Sequence, residues 1–180
     1  AKVGNTVLRD GLSSLQGPTD AAILSVLGDD AAVLRQPGGG FQVISADHLR
    51  ALIHDPALMT RIAAVHALGD IWAMGAQPQV ALSSIVLPHM SQALQSRTLQ
   101  EITDAARAIF DHAGATIVGG HTSMGAEMTI GFTVTGTRET PPITLSGAQA
   151  GDCLVLTRPI GSGIIMAAHM EGTAQGADVA

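Results

Sequence analysis

Acidic residues beside apolar segments are the first candidates for chemistry in this sequence. Asp29 and Asp30 follow a glycine where a loop meets a predicted strand, and Asp47 ends an apolar strand. Asp70 lies inside a predicted helix among Ala, Ile, Trp and Met, where a carboxylate is costly to bury unless it has a partner or a metal ion. Asp29 and Asp30 could equally cap a turn, and Asp47 could be an ordinary loop residue.

Two glycine-containing segments are the next candidates. Gly119-Gly120-His121-Thr122 is predicted as a loop after a short strand. Two adjacent glycines allow backbone N–H groups to approach an anion closely, although His121 could also be a loop histidine with a structural hydrogen bond. Residues 161–163 (Gly-Ser-Gly) open a predicted helix and fit a phosphate by the same reasoning, but the pattern alone is unspecific.

The carboxylates favour one metal over others. Zinc would need more soft ligands than the chain concentrates anywhere. His66 and Asp70 are four residues apart on one predicted helix face, so a hydrogen bond between them is possible. Hard oxygen ligands select Mg²⁺, which binds through one or two carboxylates together with substrate phosphates. The acids and glycine segments therefore predict magnesium–ATP chemistry, in which the metal neutralises phosphate charge.

Composition excludes several classes of protein. The 180 residues fit one domain, or one domain with the start of a second. A 46% share of hydrophobic residues excludes a disordered chain, and no uncharged apolar stretch reaches about 18 residues, so we expect no membrane span. A net charge of −6 without a basic stripe disfavours nucleic-acid binding. The single cysteine, Cys153, favours a reducing, cytoplasmic compartment.

Hydrophobic periodicity predicts the elements that position these residues. The helix that begins at Asp55-Pro56 is apolar on most sides and is expected to be buried. The residues of its predicted face are Leu58, Ile62, Val65, Gly69 and Trp72, widened by Met59, Ala63, His66 and Ala73. Strands in hairpins mixed with helices indicate an α+β fold rather than a doubly wound sheet. The predicted strands are 31–34, 41–45, 80–87, 116–118, 128–138 and 153–157, and the predicted helices are 56–74, 92–113 and a last one opening at 161–163.

A series of motifs carries a resemblance to a known family. The series begins with Gly-Asp-Asp-Ala-Ala-Val at 28–33, Ser-Ala-Asp at 45–47 and Asp-Ile-Trp-Ala-Met-Gly at 70–75, and ends with Gly-Gly-His-Thr at 119–122 and Thr-Arg-Pro-Ile-Gly at 157–161. Over residues 28–168 the chain resembles selenophosphate synthetase (selenide, water dikinase), within the aminoimidazole-ribonucleotide synthetase-like ATP-binding superfamily. His121 distinguishes this branch, because the thiamine-monophosphate kinase branch usually has Asp there.

The resemblance implies a fold and an activity. The fold is a mixed sheet with helices packed on one face, and two chains dimerise through the sheet into a shared barrel. Residues 1–140 would form the N-terminal ATP-binding and dimerisation domain, and residues 141–180 a linker and the start of a truncated C-terminal α/β domain. The reaction converts ATP, selenide and water into selenophosphate, AMP and phosphate, in a cytoplasmic homodimer.

The resemblance also implies roles for individual residues. Asp30 and Asp70 match magnesium ligands, while a third ligand would lie beyond residue 180. The residues matching contacts to ATP are Asp29, Asp47, Gly119, Gly120, His121 and Thr122. Lys2 matches a catalytic lysine that contacts the transferred phosphate.

Departures from the family pattern keep other functions open. No cysteine precedes Lys2, where the family has a nucleophilic Cys or selenocysteine, and His48-Leu49 stands where Phe-Phe is common. One alternative is a catalytically incomplete module for dimerisation or regulation within a larger protein. Another is a small-molecule kinase such as thiamine-monophosphate kinase. The phosphate acceptor could be selenide, sulfide or another small molecule.

Overall fold

The computed structural model of the chain describes residues 3–13, 20–24, 29–157 and 159–179. The chain divides into two compact units, one of residues 18–147 and one of residues 1–17 together with 148–180. The elements in chain order are α1 (Asn5–Leu12), β1 (Ala32–Arg35), β2 (Phe41–Arg50), α2 (Pro56–Ala73), β3 (Gln77–Pro88), α3 (Gln92–His112), β4 (Thr116–Gly125), β5 (Thr129–Arg138), α4 (Ser162–Met170) and α5 (Gly176–Val179).

The larger unit is built on a five-stranded sheet in the order β1-β2-β5-β3-β4. Neighbouring strands are antiparallel except β3 and β4, which are parallel because α3 carries the chain back to the starting edge between them. The predicted strands 31–34 and 41–45 are confirmed as β1 and β2, which form a hairpin with Arg35 opposite Phe41. This mixed sheet with its helices confirms the predicted α+β class, while a barrel shared by two chains stays a prediction.

One face of the sheet packs against α2 and α3. In β5, Ile130, Phe132 and Val134 are buried, and Thr129, Thr133 and Thr135 are partly exposed, as the period-two pattern predicts; Gly131 is also buried. Ile102 and Phe110 of α3 enter the same cluster. The rings of Phe110 and Phe132 meet edge to face, with centroids 5.0 Å apart. The other face of the sheet, which we call the open face, carries Ile44, Leu82 and Ser84.

Helix α2 is delimited by its capping residues. The Asp55 carboxylate accepts a hydrogen bond from the Leu58 N–H at 2.8 Å, and Pro56 occupies the first turn. The helix ends before Gly75, which has a left-handed φ of 69°. A Cβ at Gly75 would lie 1.9 Å from Nη1 of Arg138. A side chain there would therefore displace the Arg138 side chain from its position at the end of α2. The predicted bounds of the helix are confirmed within one residue.

The buried face of α2 differs from the predicted one. Leu58, Ile62, Val65 and Trp72 are between 38% and 47% exposed, not buried. The helix is apolar on both sides, so periodicity alone does not determine which face is buried. The face with the alanines is buried because it allows a closer approach to the sheet than the larger residues would. Of the predicted face, Met59 and Ala63 are buried. The residues that α2 buries are Met59, Thr60, Ala63, Ala64, Ala67, Leu68 and Ile71.

The smaller unit departs from the sequence prediction in one segment. Residues 153–157 are described and do not form the predicted strand. Cys153 is exposed, and Leu154 is 98% exposed. An apolar run needs a neighbouring strand to pair with, and none of the described strands accepts it. The helix predicted to open at 161–163 is confirmed as α4.

Among the described helices, none is both long and apolar enough to cross a bilayer.

Candidate functional site

Two polar contacts cross the interface between α2 and β2. Ser45 Oγ donates a hydrogen bond to Asp70 Oδ2 at 2.6 Å. His66 Nε2 lies 2.7 Å from Asp47 Oδ2. We call these four residues, Ser45, Asp47, His66 and Asp70, the α2–β2 seam. It brings together two of the acids that the sequence analysis singled out.

The periodicities of strand and helix explain why the two contacts are neighbours. Residues 45 and 47 are two apart on a strand and so point to the same face, about 7 Å from each other. Residues 66 and 70 are four apart on a helix and so lie on one face, about 6 Å from each other. Ser45 of the strand therefore donates to Asp70 of the helix. One helical turn away, His66 of the helix contacts Asp47 of the strand. Both acids are fixed by neighbours on the facing element.

Asp47 has a partner for each carboxylate oxygen. Oδ1 accepts the N–H of His48 at 2.8 Å, and Oδ2 contacts His66. The Asp47 side chain keeps 24% of its surface exposed, so a ligand can still reach it. The possible hydrogen bond between His66 and Asp70 does not form, because His66 contacts Asp47 on the strand and Ser45 donates to Asp70. Asp70 is half-buried, and this hydroxyl is the partner that its position on an apolar helix requires.

Asp29 and Asp30 lie at the same end of the sheet as the seam. Strand β1 begins at Ala32 opposite Ile44, so the two acids just before it lie beside the part of β2 that leads to Asp47. Asp30 is exposed and Asp29 is half-buried. Between described residues, no hydrogen bond or ion pair joins either acid to the seam. Likewise, no group of three described His, Cys, Asp or Glu side chains is placed to hold a metal ion.

The predicted glycine loop at residues 119–122 is wrong as a loop, because these residues form the middle of β4. The strand pairs in parallel with β3 after a register shift, with Gly120 opposite Ser83 and His121 opposite Ser84. Pairing with a neighbouring strand overrides the low strand propensity of glycine. The exposed residues of this edge strand include Gly119, Gly120, His121 and Thr122.

The register across the sheet places residues 119–122 relative to Asp47. Asp47, Phe132, Ser83 and Gly120 follow one another across β2, β5, β3 and β4. Asp47 and Gly120 therefore lie in one row, about 14 Å apart over three strand spacings. The next row contains His121 and lies on the open face, whereas Asp47 points to the helices. Asp47 and His121 therefore lie on opposite faces and do not contact each other.

Gly120 has a structural reason to be glycine. A Cβ there would lie 2.1 Å from the carbonyl oxygen of Ser83, whereas a Cβ at Gly119 would meet only Leu82 Cδ2 at 3.6 Å. We expect Gly120→Ala to lower the free energy of unfolding by about 1–3 kcal/mol, the usual cost of overpacking. Gly119→Ala is the matched control and should change it little. Urea unfolding of both variants measures the difference, and equal effects would contradict this account of the strand.

Two further charged residues are Lys2, which was predicted in the site, and Arg50. Lys2 lies outside the described residues, so its role stays a prediction. Arg50, at the end of β2, forms an ion pair with Glu127. The hydrogen bond and charge of Glu127 raise the pKa of Arg50, so this guanidinium stays charged and engaged at the rim of the sheet.

Sequence reasoning missed Ser45 and His66 as members of the site. Ser45 could have been found, because it precedes Asp47 by two residues on the same strand and must share its face. His66 could not be assigned to Asp47 from local spacing, since their contact joins two elements across the interface.

Comparison with protein families identifies one matching model. The model described as AIR synthase related protein, N-terminal domain, matches residues 28–138. This segment contains both contacts of the seam and the whole five-stranded sheet, so the match covers the part of the chain that holds the candidate site.

Similar curated proteins are named selenide, water dikinase. The protein of Myxococcus xanthus is 38% identical over 165 residues, which are 91% of this chain and 46% of that protein. The proteins of Porphyromonas gingivalis and Geobacter metallireducens are 34% and 37% identical over 96% and 93% of this chain and 50% of each relative. The chain thus spans about half the length of these relatives.

Solved structures share the fold at low sequence identity. The AaThiL complex with AMPPCP and TMP has a TM-score of 0.66 at 20% identity, covering 82% of this chain and 44% of that one. The HypE–HypF complex has a TM-score of 0.69 at 16% identity, covering 96% of this chain and 56% of that one. At these identities the comparison concerns the fold alone.

Proposed function

We infer the function from one premise: the chain belongs to the AIR synthase related proteins, whose N-terminal domain it carries. Within that family, it acts as the nucleotide-binding part of a selenide, water dikinase. The reaction converts ATP, selenide and water into selenophosphate, AMP and orthophosphate. The observation that carries this choice is the 34–38% identity to selenide, water dikinases over more than nine-tenths of the chain.

Magnesium binding is assigned to Asp30 and Asp70. The fit rests on the donor set, since these acids offer only hard oxygen ligands of the kind that Mg²⁺ prefers. Asp70 is half-buried on α2 and held by Ser45, which leaves its second oxygen, Oδ1, for a cation. When bound, the metal supplies neutralisation of phosphate charge during transfer. Asp30 and Asp70 would hold the metal ion in place, and the residues assigned to the nucleotide would orient it.

Nucleotide binding is assigned to Asp29, Asp47 and residues 119–122, with Lys2 on the transferred phosphate. Asp47 and His121 lie on opposite faces of the sheet, so one chain does not present both side chains to one group. Asp47 is therefore assigned to a contact on the helix-packed face and His121 to one on the open face. The homodimer is proposed to form through the open faces of two sheets, with a shared barrel.

The open face has the composition that such a dimer needs. Its exposed or half-exposed residues include Ile44, Leu82 and Val86, interspersed with threonines of β5. Apolar side chains within a contiguous sheet surface favour burial against another sheet. Residues 1–140 are proposed as the dimerising domain and residues 141–180 as the start of the next domain, in a cytoplasmic protein that acts on ATP and a small-molecule acceptor.

Substitution of Leu82 tests the dimer. Leu82→Asp places a carboxylate in the proposed interface, so we expect a shift from dimer to monomer in equilibrium sedimentation. Leu94→Asp on α3 is the matched control, because Leu82 and Leu94 are both 47% exposed. The control should keep the oligomeric state of the wild type. A wild-type monomer, or a Leu82→Asp variant that stays dimeric, would contradict the assignment of the open face.

Calorimetry with ATP tests the nucleotide-binding assignment. We expect ATP to bind in the presence of Mg²⁺ and to lose most of its affinity when the metal is chelated, since the acids would otherwise repel the phosphates. Binding that ignores Mg²⁺ would contradict the assignment of the acids. No binding under either condition would overturn the proposed function.

A further inference from the structure

We propose that His66 is a positioning residue that fixes the orientation of Asp47 for the nucleotide. The inference rests on the proposed function, because it assumes that Asp47 contacts a ligand of this site. His66 lies on α2 and does not itself belong to the set of acids and glycine residues assigned to magnesium or ATP.

The geometry of Asp47 shows what His66 contributes. A carboxylate on a strand can rotate about its terminal torsion, which is broad for Asp. The His48 N–H at Oδ1 and His66 Nε2 at Oδ2, at 2.8 and 2.7 Å, together define the plane of the carboxylate. Oδ1 already accepts the His48 N–H, and Oδ2 lies against His66 Nε2, so the lone pairs that remain are presented in fixed directions. Removal of His66 would leave only the contact from the neighbouring residue on the same strand.

The exposure of the pair separates a positioning role from a stabilising one. The side chains of His66 and Asp47 are 44% and 24% exposed. Both side chains remain partly solvated, and polar contacts between solvated side chains contribute little to folding. The core beneath the pair is formed by Ala63, Ala67 and other buried residues of α2, which do not depend on it. Loss of His66 should therefore change ligand binding without a matching change in stability.

His66→Ala and His66→Gln distinguish the two roles. His66→Ala should weaken Mg-ATP binding on the order of tenfold, the size typical when a group that orients a ligand-binding side chain is removed. His66→Gln should recover most of the affinity, because the Gln side-chain amide can donate toward Asp47. Both variants should melt at the temperature of the wild type. His112→Ala, which removes an exposed histidine at the end of α3, is the matched control and should bind ATP normally.

A double-mutant cycle with Asp47→Asn tests whether His66 acts through Asp47. The double variant His66→Ala/Asp47→Asn should bind Mg-ATP no more weakly than Asp47→Asn alone. Fully additive losses would overturn the inference, as would normal affinity of His66→Ala. A His66→Ala loss that follows a lowered melting temperature and is not rescued by Gln would also overturn it. Failure of the wild type to bind Mg-ATP would instead overturn the proposed function, and the positioning role with it.

Discussion

Asp70→Asn should abolish magnesium-dependent nucleotide binding while the fold survives. Asparagine keeps the shape of the side chain, and its carbonyl oxygen can still accept the hydrogen bond that Ser45 donates to Asp70. It lacks the negative charge that gives a carboxylate its strong attraction for a hard divalent cation. We therefore expect no measurable Mg-ATP binding by calorimetry and a melting temperature close to that of the wild type.

The control for this variant is Asp111→Asn, which removes the same charge from an exposed position on α3. It leaves the net charge of the protein equal to that of Asp70→Asn, so any long-range effect of charge is matched. We expect normal Mg-ATP binding by the control. Unchanged affinity of Asp70→Asn, measured beside it, would show that the metal site lies elsewhere.

Phe110→Ala should produce the largest loss of stability among the substitutions considered. Phe110 is fully buried between α3 and the sheet, and its ring meets the edge of Phe132. Truncation of a buried Phe costs about 3–5 kcal/mol, because transfer energy is lost and a cavity remains. The single tryptophan, Trp72 on α2, lies in the same unit and can report its unfolding in urea.

Leu94→Ala provides the comparison for this effect. Leu94 lies on the same helix but is 47% exposed, so its truncation removes little buried surface. We expect a change in unfolding free energy within about 0.5 kcal/mol, as for ordinary surface substitutions. Similar losses for Phe110→Ala and Leu94→Ala would mean that α3 does not pack on the sheet as described.

The strands and helices of the larger unit were predictable where a single pattern dominated. The alternation of residues in β5 and the apolar stripe of α3 each specify which face of the element is buried. Both elements were predicted with nearly the right bounds. The pattern failed for α2, where Leu58 and Trp72 compete with small residues for the core. The sequence of a helix that is apolar all round does not determine which face packs on the sheet. In α2, the fit of Ala63 and Ala67 against the sheet determines the buried face.

The candidate site was predictable as a set of residues but only partly as a geometry. Asp47 and Asp70 were singled out from their apolar surroundings, and the structure brings them to one seam. The contact between His66 and Asp47 depends on how α2 lies across β2, which local spacing does not determine. Residues 119–122 were predicted as a loop from their glycines, whereas pairing with β3 extends β4 through them.

The products formed from ATP in the presence of selenide test the central claim most directly. In ³¹P NMR of the protein that contains this chain, with Mg²⁺, ATP and selenide, the account predicts signals of selenophosphate, AMP and orthophosphate, and none of them without selenide. ADP as the nucleotide product would contradict it and favour a small-molecule kinase. Binding of Mg-ATP without any consumption would contradict the enzymatic claim and favour the non-catalytic module instead.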